Sequence, residues 1–257
     1  MTKIHPTAVV DPAAQLDEGV EIGPYCVIGP DVRLGAGTRL MSHVVIDGHT
    51  SLGQGCTVHP FASLGGRTQD LKYRGGHPGV AIGDQTVIRE YVTVNCATAD
   101  GDITRVGSRC LLMAYAHVAH DCSVGDEVIL ANCGTLAGHI VVEDQACLGG
   151  LSAVHQFVRL GRLSYVGGCA KVTQDVPPFM LGDGNPLQIP AINSVGLKRH
   201  GVSEEAQHQI KHAHRILYRE ELSTRQALEK IGQEVGTGPE IEHLLAFIRS
   251  SERGITR

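Results

Sequence analysis

Tryptophan is absent from these 257 residues, and only 4 phenylalanines and 6 tyrosines occur. So few rings, with 32 glycines and many valines and isoleucines, argue against a helix-rich globule and suit thin, closely stacked coils with tight turns. No run of about 18 apolar residues exists, which excludes a helical membrane span. Met1-Thr2-Lys3-Ile4-His5-Pro6 has no apolar core of a signal peptide, so a cytoplasmic protein is expected. The 8 cysteines show no C-x-x-C spacing and are expected to be reduced, most of them as small fillers of the core. Positive charge is not in excess either. With 22 basic against 27 acidic residues, a net charge of −5 excludes a general nucleic-acid binder, while a local basic patch can still hold an anionic small substrate.

What is present is a period. Val106, Leu112, Val118, Val124, Leu130, Leu136, Val142, Leu148, Val154, Leu160, Val166 and Val172 are aliphatic at every sixth position without a miss. Six is neither the 3.6 of a helix nor the 2 of a simple strand; it marks a parallel β-helix of hexapeptide repeats. Three hexads make an 18-residue coil, and stacked coils bury a shared aliphatic column. The same spacing runs through Ile4, Val10, Leu16, Ile22, Ile28, Leu34, Leu40, Ile46, Leu52, Val58 and Leu64, with glycine following at 23, 29, 35, 53 and 65, where a tight corner would tolerate it. Periodicity alone leaves the hand of the coil open.

The repeat is interrupted near 65–81 by a polar, glycine-rich stretch and again near 95–105; both read as loops pushed out of the prism, the usual carriers of function on a rigid scaffold. The prolines of Asp175-Val176-Pro177-Pro178-Phe179 are expected to end the ladder, with a linker over Gly182 to Pro190. Beyond it the period becomes helical. Ser203 caps one amphipathic helix, Ser223-Thr224-Arg225-Gln226 is a capping-box pattern before a second, and Ile241, Leu244, Leu245 and Ile248 line a third. The expected fold is mainly β: a parallel β-helix over 1–180 and an α-helical domain over 191–257 that covers its last edge.

Val118, Leu136 and Val154 are 18 apart and should stack, which brings His117, His120, His139 and His155 to neighbouring positions on three successive coils. A single histidine is usually a surface or satisfied core residue; a cluster set by spacing points to chemistry. One chemistry is general-base catalysis on an acyl transfer, with Asp121 orienting His120. The other is zinc held by three histidines, as in carbonic anhydrases of β-helical architecture.

The residues themselves resemble a family. Gln69-Asp70-Leu71-Lys72-Tyr73, Ile88-Arg89-Glu90, Ala116-His117-Val118-Ala119-His120-Asp121-Cys122, Thr135-Leu136-Ala137-Gly138-His139, Ala153-Val154-His155-Gln156-Phe157, Gln174-Asp175-Val176-Pro177-Pro178, Gly196-Leu197-Lys198-Arg199 and Arg253-Gly254-Ile255-Thr256-Arg257 are similar to blocks of the bacterial UDP-N-acetylglucosamine acyltransferases of lipid A synthesis. The resemblance implies a left-handed coil, a homotrimer with sites between subunits, and transfer of a (3R)-hydroxyacyl chain from the phosphopantetheine of acyl carrier protein to the 3-position of UDP-N-acetylglucosamine, with no metal and no further cofactor. By the same resemblance His120 is the base, Asp121 its partner and Gly138 the oxyanion N–H donor. His117, His139, His155 and Gln156 line the cleft, Asp70 and Lys72 contact the sugar nucleotide, Asn193 and Arg199 the uridine and phosphates, and Gly168 stands at the position that sets acyl length, where a glycine leaves the groove open to a longer chain. The family often has His-Arg-Gly-Thr where this chain has Asn95-Cys96-Ala97-Thr98, which makes a 3-amino acceptor, and hence an amide product, the alternative. Arg159, Arg162 and Lys171 are candidates by position for docking the acidic carrier protein.

Overall fold

The computed structural model describes residues 1–257. The period of six becomes 28 short strands in three sheets of 11, 9 and 8, which form the three faces of a prism. The first face starts at Lys3–Ile4, the second at Val9–Val10 and the third at Gln15–Leu16. Strands pair in parallel with the strand 18 residues on, as Val118 with Leu136 and Leu136 with Val154. The predicted column is real: all twelve aliphatics from Val106 to Val172 are buried, inside one hydrophobic cluster of 60 residues that also takes in the C-terminal helices. Ile4 is 48% exposed because its coil is stacked on one side only.

The corners of the coil turn through residues in the left-handed backbone region. Contrary to expectation, glycine is not what occupies most of these positions. Tyr25, His43, Phe61, Tyr91 and Tyr115 form one such column, all at positive φ, with rings 4.8 to 5.0 Å apart in succession. Stacking against the coils above and below supports a conformation that costs a lone residue about 1–2 kcal/mol. The glycines that follow the aliphatics mostly serve close approach instead: a Cβ on Gly35 would lie 2.6 Å from the Gln54 nitrogen of the next coil.

The two interruptions leave the prism without breaking the stack. Thr57 pairs with Val87 and Val87 with Leu111, so these two coils are 30 and 24 residues long instead of 18. The excursions are tighter than the sequence suggested. Strands Ser63–Gly66, Gly79–Ile82, Thr93–Asn95 and Ile103–Val106 run up to their edges, leaving 67–78 and 96–102 outside.

The C-terminal boundary also differs. The prolines shorten the last coil rather than ending it: Val176 bridges Leu160, and Phe179, fully buried, takes the next corner. The expected linker is a hairpin. Met180–Asp183 pairs in parallel with Tyr165–Val166 and antiparallel with Gln188–Ile192, extending the first face. A short helix α1 (Ser194–Arg199) follows, then α2 (Glu204–Arg219), α3 (Thr224–Glu234) and α4 (Pro239–Arg249). Ser203 caps α2 and Ser223 with Gln226 forms the capping box of α3, as their sequence predicts, while Ile241, Leu244, Leu245 and Ile248 of α4 are buried.

Arg159 and Arg162 are spent on this docking and are not free for a partner. Arg159 donates to Asp175, whose side chain is 2% exposed, and to the Phe247 carbonyl at the end of α4. Arg162 lies over the Phe179 ring and 3.9 Å from Glu240, while Glu143 receives its backbone N–H and pairs with His243 of α4 at 2.7 Å. Lys171 alone of the three stays exposed without an ion pair.

Candidate active site

The corner between strands His117–Val118 and Ser123–Val124 carries the site. Asp121 takes the left-handed position of this corner, with φ of 59°, and its N–H is held by Thr104 Oγ1 at 2.9 Å. That turns its carboxylate toward the residue before it: His120 Nδ1 donates to Asp121 Oδ2 at 2.7 Å, and both side chains are more than four-fifths buried. Asp121 Oδ1 receives the Thr98 N–H at 3.0 Å. Burial alone would raise the Asp121 carboxyl, but the hydrogen bonds from His120 and Thr98 outweigh it and hold the group below the ordinary carboxylate range. An ionised Asp121 can only accept, so the His120 hydrogen is on Nδ1 and Nε2 is left as a base.

Eighteen residues on, the next coil presents Gly138 to that ring. A Cβ there would lie 2.6 Å from His120 Nε2, so only glycine leaves the imidazole its place. The Gly138 N–H makes no hydrogen bond within the protein, while His139 N–H binds the His120 carbonyl at 3.1 Å and locks the two coils in register. His139 stands above Asp121, its Nε2 3.6 Å from Oδ2, edge-on to His120 and stacked at 4.7 Å on Phe157 of the following coil. His117 Nδ1 shares a hydrogen bond with Thr93 Oγ1 at 2.7 Å, and burial, then the neighbouring His120, keep its pKa below that of a free imidazole. Asp70 arrives from the first excursion. Its Oδ1 accepts the Lys72 backbone N–H, and the Lys72 side chain is exposed without an ion pair.

The structure thus brings His117, His120, Asp121, Gly138, His139 and Asp70 together. The three donors whose ligand atoms lie within 4.8 Å of one another are Asp70, His120 and His139, and not the three histidines expected of a zinc reading. His155 and Gln156 are exposed two coils on from Ala119 and His120, about 10 Å along the stack. Gly168 is at the opposite edge of the second face, three coils on, or about 14 Å, where a Cβ would sit 3.3 Å from the Gly150 carbonyl.

Asn193 and Arg199 do not join them. They line a separate cavity of about 380 Å³ beside the first face, with Glu127, Tyr165, Val195 and His200. Arg199 is exposed there with no ion pair. Asn193 is buried, and both ends of its amide are occupied: Oδ1 caps α1 at Gly196 N–H and Nδ2 donates to the Leu163 carbonyl at 2.9 Å. Sequence reasoning missed Thr68, Thr93, Thr98 and Thr104. Thr93 was within reach, being on the strand below His117; the others are in or beside the excursions, where no period places them.

Residues 175–256 match the family described as UDP N-acetylglucosamine O-acyltransferase, domain 2, and residues 103–138 match the bacterial transferase hexapeptide family. An acyl-(acyl-carrier-protein)–UDP-N-acetylglucosamine O-acyltransferase of Alkalilimnicola ehrlichii is 50% identical over 258 residues, covering 100% of both chains. A Synechocystis protein of the same name is 48% identical over 164 residues, 64% of this chain and 59% of that relative's length. The solved LpxA of Acinetobacter baumannii superimposes with a TM-score of 0.95 at 41% identity, covering 99% of each chain. Matched in sequence from end to end and in fold across both the prism and the helices, the chain belongs to the UDP-N-acetylglucosamine O-acyltransferase family.

Proposed function

We propose that the chain transfers a (3R)-hydroxyacyl group from acyl carrier protein to the 3-hydroxyl of UDP-N-acetylglucosamine, with His120 as general base. The observation that carries this is the buried His120–Asp121 pair at 2.7 Å, with Gly138 of the next coil pressed against the imidazole. Nε2 takes the hydroxyl proton as the sugar oxygen attacks the thioester carbon. The charge that develops on the carbonyl oxygen meets the unpaired Gly138 N–H. Collapse expels the pantetheine sulfur, which recovers the proton from His120, so the base ends as it began. Asp121 supports the imidazolium throughout without accepting its proton.

The cationic half of the site is beside another face of the prism. Arg199 stands on α1 beside the first face, His120 at the corner of the second and third. A homotrimer in which a neighbour's Arg199 meets the uridine diphosphate completes the site. Complementation tests this: His120→Ala and Arg199→Ala proteins, each crippled alone, regain activity when unfolded and refolded together. Mixed oligomers that stay inactive would sink the shared site. In place of Arg159 and Arg162, the carrier protein is offered a basic surface on α2, where His208, Lys211, His212, Arg215 and Arg219 surround a cavity of about 410 Å³.

A second acceptor has one observation in its favour. Asn95 Oδ1 is buried with no partner, while its Nδ2 is 3.4 Å from the Arg67 carbonyl. An unmet acceptor in this segment suits an acceptor sugar with one more donor hydrogen, as in the 3-amino analogue, where two N–H replace one O–H. Paired assays with the two sugar nucleotides and a series of 3-hydroxyacyl carrier proteins separate the readings by product, ester or amide; transfer to neither refutes both.

A further inference from the structure

Thr98 is outside the repeat, in the second excursion, yet it touches both members of the pair. Its N–H donates to Asp121 Oδ1 at 3.0 Å, and its hydroxyl oxygen is 3.2 Å from His120 Nδ1. On its far side the hydroxyl is 3.3 Å from Thr68 Oγ1 in the first excursion. Thr68 is buried, and its oxygen also accepts the Asp70 N–H at 3.1 Å. A continuous polar chain therefore runs from the backbone of Asp70 through Thr68 and Thr98 to the imidazole.

Hydrogen accounting gives this chain a direction. His120 Nδ1 carries a hydrogen, mostly given to Asp121 at 2.7 Å. The Thr98 oxygen can meet that nitrogen only as an acceptor, the minor branch of a shared hydrogen bond. Its own hydrogen turns away, to Thr68 Oγ1 or the Asp121 carboxylate. A lone pair is thus aimed at the ring nitrogen that stays protonated when Nε2 takes up the acceptor's proton.

We propose that Thr98 is a positioning residue for the base, and that Thr68 ties it to the loop carrying Asp70. With the loop in place, Thr68 holds the Thr98 hydroxyl in the orientation that supports a charged imidazole, so His120 is fully supported only when the sugar-binding loop is seated. This rests on His120 being the base.

Thr98→Val keeps the shape and the N–H to Asp121 and deletes the hydroxyl. It should lower kcat about 10-fold, the worth of one hydrogen bond to a charged group, with KM for both substrates changed less than about 2-fold. The acid limb of the kcat profile should move to lower pH, because the lost lone pair favoured the charged ring over the neutral one. The groups facing that ring, Asp121 on its own corner, His117, His139 from the next coil and Asp70 from the loop, all remain in the variant. Thr98→Ser should restore both rate and limb. Thr68→Val should lower kcat less, and the double variant should be no slower than Thr98→Val. A purely structural role would show instead as a lower melting temperature or additive losses with the limb unmoved. Should Thr98→Val fail to fold, Thr98→Ala makes the same deletion. An inactive His120→Ala beside an unchanged Thr98→Val overturns this inference alone; an active His120→Ala removes the base and overturns both readings.

Discussion

The stacked coils and the two excursions that leave them meet at one corner, and they are built by opposite rules. A coil repeats one solution: an aliphatic points inward every sixth residue, a left-handed residue turns each corner, and parallel pairing carries both to the next coil. The excursions repeat nothing. They are held by single polar contacts such as His77 N–H to Asp100 Oδ1 and Thr98 N–H to Asp121 Oδ1. The coils supply His120, Asp121, Gly138 and His139 at spacings they cannot vary. The excursions supply Asp70, Thr68 and Thr98, each placed by polar contacts specific to it rather than by the repeat. Rigidity places the base, and the irregular segments decide when it is supported.

Substitutions on each side should break this comparison in different observables. The largest effect is expected of His120→Ala, which should reduce kcat/KM by about 1,000-fold with the melting temperature within error of the parent, since a corner side chain is not part of the aliphatic column. A comparable loss of stability would show that the corner is part of the fold's support. Leu130→Ala should do the reverse. Leu130 is fully buried in the column, and its truncation should cost about 2–5 kcal/mol in denaturant unfolding while surviving folded enzyme keeps its kcat. A large fall in kcat at full folding would mean that the coils transmit strain to the site.

His117 gives the smallest effect and a sign. Burial first, and His120 second, hold it below the ordinary imidazole value. The unfolded chain therefore takes up this proton at higher pH than the folded one. The stability concerned is intact above the unfolded imidazole value, near pH 6.5, and declines as the pH falls below it. Between about pH 7 and pH 5, His117→Gln should lose less melting temperature than the parent. Equal declines would place the acid sensitivity elsewhere, and His214, buried and shifted in the same direction, is the next residue to substitute.

The histidine cluster was legible because stacking turns sequence distance into height: eighteen residues make one coil, so Gly138 had to meet His120 and Phe157 had to meet His139. The capped helices were legible because Ser203 and Ser223 act on backbone N–H groups three residues away. Contacts outside that fixed interval leave no such mark in the sequence. Arg159 and Arg162 looked free by position and are instead engaged, half-buried, by α4 and the residues just after it, which return from about eighty to ninety residues later in the chain. The hairpin that replaces the expected linker over Gly182 to Pro190 is not legible in the period, because its strand partner, Tyr165–Val166, is reached through a coil two residues short, out of phase with the repeat.

By itself, then, the sequence determined the coil, its buried column, the stacking of His120 beneath Gly138 and the helices that follow, since each rests on contacts at a fixed local interval. Only the tertiary structure decided that Thr98 and Thr68 reach the base, that Asn193 is committed to capping α1, and that Arg199 faces away from His120. Those depend on where an aperiodic segment folds back or on which face of the prism a residue lands. No local interval encodes either; they are set by packing among parts of the chain far apart in sequence.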